Sequence, residues 1–235
     1  MKKINETDFL LDLFERFGKS DAQAALDFVR RNQQQQNADA VTDGHKEEYC
    51  TYQLVDLGLP SGTKWADRNI GAKSEEDVGL YFSWGNTDGH VFGTDYDFDE
   101  DVYDETPGAK LEGDIDLEHD AACVNMGEPW RMPTSEEFQE LDDNCTHEFC
   151  SVNGYRGMRF TSKINGNSIF FPCSGNGHGT TWYSRGSYGH YWSGSLYSAT
   201  SGRNLYFRSG GVSPQSYNNR FLGFAVRAVQ TSFEK

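Results

Sequence analysis

Residues 149–233 contain no Asp and no Glu, although the whole chain carries a formal charge of −15. That stretch has one Lys and seven Arg, whereas residues 1–148 hold 12 Lys or Arg against 35 Asp or Glu. The two parts therefore carry +8 and −23. Overall acidity argues against a nucleic-acid partner, because phosphates are held by Lys and Arg that displace counterions. The basic stretch still admits an anionic ligand. Long apolar runs are missing too. None approaches about 18 residues, so no membrane span is expected. Met1-Lys2-Lys3 leads straight into Asn5, Glu6 and Asp8, with neither the apolar run of a signal peptide nor a lipobox cysteine. The expectation is a protein cytoplasmic as synthesised, with virion association left open. The five cysteines (Cys50, Cys123, Cys145, Cys150, Cys173) are an odd set without a secretion signal, so free buried thiols are expected. Cys145-x-His147-x-x-Cys150 looks like half a zinc site, but no second pair lies at usable spacing. No metal and no cofactor are assigned.

What is present points to a folded core. Aromatics make up 14% of the 235 residues, too many for a disordered chain. The length fits one full domain plus a small appendage. Residues 1–36 read as a helical hairpin. Phe9, Leu10, Leu13, Phe14 and Phe17 recur at helical spacing, Gly18 ends the first helix, and Ala24, Ala25, Phe28 and Val29 mark the second. About 30 residues cannot bury enough surface to stand alone. Residues 5–36 must therefore pack on the main domain, self-associate or dock on another particle. Residues 37–48 are polar and aperiodic and read as a linker.

From residue 49 to residue 235 the pattern changes to short β-rich runs between Gly, Asn and Ser turns. The runs are Gln53–Leu57, Gly79–Trp84, Ser168–Phe171, Asn204–Phe207 and Phe224–Val229. One helix interrupts them. Thr134 or Ser135 precedes Glu136 and Glu137, and Phe138 and Leu141 face inward. The acidic run from Asp95 to Glu105 fails as an EF-hand, since Glu100 and Thr106 stand where Gly and a bidentate Glu are needed. It reads as a solvated insertion loop.

Several phrases carry a family resemblance. They are Val55-Asp56-Leu57-Gly58-Leu59-Pro60-Ser61-Gly62-Thr63-Lys64-Trp65-Ala66, Gly79-Leu80-Tyr81-Phe82-Ser83-Trp84-Gly85 and Trp130-Arg131-Met132-Pro133-Thr134. Next come Asn165-Gly166-Asn167-Ser168-Ile169-Phe170-Phe171-Pro172, Tyr191-Trp192-Ser193 and Gly223-Phe224-Ala225-Val226-Arg227-Ala228-Val229. In this order they resemble the Fibrobacter-type major paralogous domain of gut Bacteroidales and their phages. The resemblance implies an α+β fold of the C-type lectin kind, in the version shared with formylglycine-generating enzymes. Residues 1–48 lie outside it.

Residues 178–222 resemble something narrower, the variable region of a diversity-generating retroelement protein. There a reverse transcriptase mutates template adenines, so Asn codons of the AAY type become NNY codons. Such codons give Tyr, Ser, His, Arg, Gly and others, but never Lys, Glu, Gln, Met or Trp. The stretch has no Lys, Glu or Met, and Trp182 and Trp192 fall at scaffold-like positions. Gln215 departs from the alphabet, and the lack of Asp is not explained by it. The ligand-binding set this implies is Tyr183, Tyr188, His190, Tyr197, Arg203, Tyr206, Arg208, Ser216, Tyr217 and Leu222. Read from the residues alone, Asn204-Leu205-Tyr206-Phe207-Arg208 alternates as a half-buried strand, with Leu205 and Phe207 inward. Tyr, Ser, Gly and Asn are the paratope alphabet, and Tyr and Arg dominate interface hot spots. Trp192, Phe224 and Val226 read as core, and Arg227 as a structural donor to loop carbonyls.

The expectation is a non-catalytic binding protein for a macromolecular ligand, protein or glycan. Two alternatives compete. A calcium-dependent lectin would need paired acids and amides, and Glu128-Pro129-Trp130 is only a partial echo. A formylglycine-generating oxidase would need a second cysteine after Cys173, and none follows. No Ser/His/Asp arrangement stands out either.

Overall fold

The computed structural model describes residues 52–231. The chain divides between Tyr49 and Cys50, and every described residue belongs to the second unit. The helical hairpin and linker expected at residues 1–48 lie outside the described residues.

Local chemistry sets the helices. Helix α1 (Glu100–Asp104) starts where the Asp99 side chain accepts from the Asp101 amide, with Glu100 and Asp101 in its first turn. Carboxylates there satisfy orphan N–H groups and suit the helix dipole. The acidic run is therefore not only a solvated loop. Its Tyr103 is buried and donates from Oη to the Trp84 carbonyl at 2.8 Å. Helix α2 (Ala121–Met126) is capped by Asp120, whose carboxylate also accepts from the Met132 amide. Helix α3 (Ser135–Asn144) has a complete capping box between Thr134 and Glu137. Phe138 and Leu141 are fully buried, as expected.

Among the described residues strand outweighs helix, 41% against 14%. One three-stranded sheet joins β1 (Leu54–Val55), β2 (Thr63–Ala66) and, from the far end of the chain, β14 (Val229–Thr231) in the order β1-β2-β14. The six-stranded sheet contains β3 (Leu80–Phe82), β4 (His90–Val91), β10 (Gly189–Ser198), β11 (Ser201–Arg208), β12 (Gly211–Asn219) and β13 (Phe224–Ala225). Its order is β12-β11-β10-β13-β3-β4, and β10 and β13 are parallel. An antiparallel sheet of β5 (Cys145–Val152), β6 (Tyr155–Ser162) and β7 (Ser168–Pro172) follows α3. A small hairpin pairs β8 (Asn176–His178) with β9 (Thr181–Tyr183).

Alternation along β10 and β11 feeds two cores on opposite sides of the large sheet. On one side Tyr191, Leu205 and Phe207 join Trp65, Phe138, Leu141, Phe160 and Phe171. On the other, Trp192 joins Phe82, Trp84, Phe224 and Val226. Each such side chain removed from water contributes about 2 kcal/mol. The two indoles of the second core are also satisfied: Trp84 Nε1 donates to the Ser193 carbonyl and Trp192 Nε1 to the Phe82 carbonyl. A third cluster packs Phe98 and Tyr81 with Phe92 and Trp182, which ties the segment around Phe92–Phe98 to β9.

Arg227 is fully buried and behaves as a structural donor. It bonds the carbonyls of Ala66, Asp67 and Phe170 and the Asn69 side chain, and lies over the Phe171 ring. Burial holds its guanidinium below the usual range, to about 10, which keeps it charged at neutral pH. Of the five cysteines, Cys123, Cys145, Cys150 and Cys173 are free. Burial pushes the thiols of Cys145 and Cys173 up, to about 11 and about 12. No helix among the described residues is long and apolar enough to cross a membrane.

Candidate functional site

The ten expected site residues do not form one strip. Across β10 and β11, His190 faces Tyr206 and Trp192 faces Asn204, while Tyr191 faces Leu205. Strand side chains alternate between faces. His190 and Tyr206 therefore lie on the Trp192 side of the sheet. Arg203 lies on the other side, with Leu205, and is opposite Tyr217 of β12. The expected residues fall into two groups at opposite ends and on opposite faces of β11.

The first group gathers where β10 begins and β11 ends. Tyr188 and His190 each contact the Tyr206 ring, with centroids 5.9 and 5.0 Å apart. His190 also packs on Phe224 at 4.7 Å. Burial pushes its imidazole down, to about 4, and Nδ1 finds no hydrogen-bond partner. A neutral ring with an unused nitrogen thus forms part of this group. Arg208 is exposed at the end of β11. Tyr183 stands exposed on β9, beside His178, which also touches Phe221. The β8–β9 hairpin joins this face through the Gly177–Gly223 bridge.

The second group lies at the β10–β11 turn. Tyr197 and Tyr217 stack with centroids 3.9 Å apart and an interplanar angle of 13°. They are 44% and 53% exposed, so the stack faces solvent. The Arg203 guanidinium lies 4.6 Å from the Tyr197 centroid, and its Nη1 donates to the Gln215 carbonyl at 2.9 Å.

Two expected residues have mixed roles. Ser216 is half-buried opposite Asn204, and Leu222 is half-buried against the core that contains Trp84 and Trp192. Asn204 itself is fully buried and accepts from Asn218 Nδ2. Two glycines are fixed by packing. Gly202 lies against Trp84, where a Cβ would come within 2.5 Å of the ring, and Gly189 lies against the Phe207 ring in the same way.

How the upstream acidic segment meets this surface is visible only in the fold. Asp114 Oδ1 accepts from the Leu196 amide at 2.7 Å, the Ile115 amide donates to the Gly194 carbonyl, and Phe98 bridges Gly179. Arg185, in the turn after β9, lies over the Phe92 ring at 4.4 Å. Carboxylates from residues 95–118 thus border strands that contain none. Contacts separated by some 80 residues leave no periodic trace in a sequence. Arg220, fully buried, ties the same parts together by donating to the carbonyls of Leu111 and Ser198.

Among the described residues, no group of three or more His, Cys, Asp or Glu is arranged to hold a metal ion. A cavity of about 580 Å³ lies elsewhere, lined by Tyr52, Leu54, Met126 and Trp130 among others. Comparison with known proteins finds no matching family model, curated protein or solved structure.

Proposed function

We propose that this chain is a non-catalytic binding protein, of receptor-binding or adhesion type. In this reading its C-terminal surface residues are diversified by a retroelement and displayed on a C-type lectin-like scaffold. The observation that carries the reading is how the NNY-type alphabet maps onto β8 to β12. Tyr191, Trp192, Leu205 and Phe207 hold the cores, while Tyr183, Tyr188, Tyr197, Arg208 and Tyr217 sit at the surface between them. Substitution at the surface positions leaves core burial untouched, so a diversified copy still folds. The ligand is macromolecular, since both groups are open surface rather than an enclosed cavity.

Oxidase chemistry is less well supported. Cys173 is buried with its thiol pushed up to about 12, and only a thiolate is an effective nucleophile.

The test is genomic. A near-identical template repeat beside a reverse-transcriptase gene should differ from the coding region for residues 178–222 almost only at adenines. If no such repeat exists, or differences fall evenly on all four bases, diversification is wrong.

A further inference from the structure

We propose that Arg203, Tyr197 and Tyr217 form a subsite for the carboxylate of an acidic sugar at the end of a glycan chain. The inference rests on the binding role proposed above and assigns a ligand chemistry to one of its two groups.

Arg203 is the focus. It comes from a strand with no carboxylate, and among the described residues no acidic side chain lies in ion-pair range of it. Its orientation is nonetheless held, by the bond from Nη1 to the Gln215 carbonyl and by the Tyr197 ring beneath its guanidinium. A guanidinium fixed in this way has lost its rotamer freedom before ligand arrives. Its remaining donors match the two oxygens of a carboxylate. The residue placement is not accidental to the sheet. A bulge in β12, between the partners of Asn204 and Tyr206, turns the Gln215 carbonyl to where Nη1 reaches it.

The surroundings select the body of the ligand. Tyr197 and Tyr217 reach from the strands on either side of β11 and stack, leaving exposed ring surface beside the guanidinium. Aromatic faces are electronegative and attract the weakly positive C–H groups of a sugar ring. Gln215 and Asn219 are exposed on the same strand as Tyr217, whereas Asn218 between them bonds buried Asn204 on the other face. Amides offer a donor and an acceptor together, which suits hydroxyl groups. Charge restricts the ligand further. The formal charge of −15 repels a polyanion at long range, so a lone carboxylate is admitted where a run of phosphates or sulfates is not.

The experiment is a titration of the full-length, ¹⁵N-labelled protein with sodium glucuronate, following the Arg203 Nε–Hε resonance. Glucose, sodium sulfate and N-acetylglutamate are titrated in parallel. The expected result is a saturable shift with glucuronate at low-millimolar concentration and none with glucose or sulfate. N-acetylglutamate should bind at least about tenfold more weakly, roughly 1.4 kcal/mol. Arg203→Gln should abolish the response, reported then by neighbouring backbone amides, and Tyr217→Ala should weaken it. Arg156→Gln, exposed on β6 and outside the binding set, should leave it unchanged. No saturable shift with glucuronate, or the same response in Arg203→Gln, overturns the subsite. Equal binding of N-acetylglutamate overturns the sugar assignment in favour of an acidic peptide. Failure here with a template repeat present removes this subsite alone. Binding without any repeat removes diversification alone.

Discussion

Arg227 and Arg208 come from the same acid-free third of the chain, yet they do opposite work. Arg227 is fully buried and bonds three carbonyls and an amide oxygen from distant segments. Arg208 ends β11 in solvent, on a face where Tyr206 and His190 are its neighbours along the ladder. Arg220 follows Arg227, and Arg203 follows Arg208 in being set outside the core. Loss of acids from residues 149–233 therefore has two physical origins. Buried arginines satisfied by carbonyls leave no place for a competing carboxylate, and exposed ones keep their charge available only where no carboxylate pairs with it. Composition merges the two, and burial separates them.

The largest effect that would break this comparison is at the buried end. Arg227→Met should destabilise the fold by about 3–5 kcal/mol, because four acceptors lose their donor in a dry site. A fall in the thermal midpoint of about 10 °C or more follows for a domain of this size. A fall of only a degree or two would mean that Arg227 is not part of the frame.

His190 gives the next largest effect, through pH. Its folded pKa is depressed to about 4 from 6.5. Above the unfolded value both states are neutral and nothing is lost. As pH falls through 6.5 the unfolded chain takes up a proton that the folded chain refuses, so stability declines until about pH 4. The full loss is roughly 3 kcal/mol. His190→Phe keeps a ring against Phe224 and Tyr206 and should flatten that part of the stability profile in urea titrations from pH 7 to 4. An unchanged slope would show that the imidazole is not desolvated.

Glu137 sharpens the comparison from the carboxylate side. Burial raises its pKa, but Arg131, the Thr134 amide and Thr63 outweigh this and hold the carboxyl below its usual value. A depressed carboxyl adds stability above its unfolded pKa and loses it as pH falls through the folded one. Glu137→Gln should cost about 1–3 kcal/mol at neutral pH, and the deficit should shrink below about pH 4. A deficit that persists undiminished in acid would assign the loss to packing rather than charge.

The exposed face should show the smallest effect on stability. Tyr183→Ser, Arg208→Asn and Tyr217→Ser should each change stability by no more than about 0.5 kcal/mol in chemical denaturation. A loss several times larger at any of them would make that residue part of the frame.

Legibility in the sequence followed the range of the interaction involved. Helix α3 was readable because its determinants are adjacent: Thr134, Glu137, Phe138 and Leu141 lie within one turn or two of each other. The alternation of β11 was readable for the same reason, and Leu205 and Phe207 are buried as expected. Helix α1 was hidden, because an acidic run carries no helical period and the bond that helps anchor it reaches from Tyr103 to Trp84, outside the run. The candidate site was half legible. His190, Tyr206, Arg203 and Tyr217 lie on β10, β11 and β12 and Tyr188 just before β10, and nothing in their order revealed that they divide between two faces.

By itself the sequence determined which residues can be core and which surface along each strand, because side chains alternate with a period of two and apolar burial selects one phase. It also determined the charge asymmetry and the Tyr, Arg, Ser and Asn alphabet of residues 178–222. Tertiary structure alone decided where each phase points. Bulges in β10 and β12 shift the pairing, so Tyr197 and Tyr217 converge above Arg203 on the far side of the sheet from Tyr206. A one-residue change of register moves a side chain to the other face, and register is set by partners that are distant in the chain.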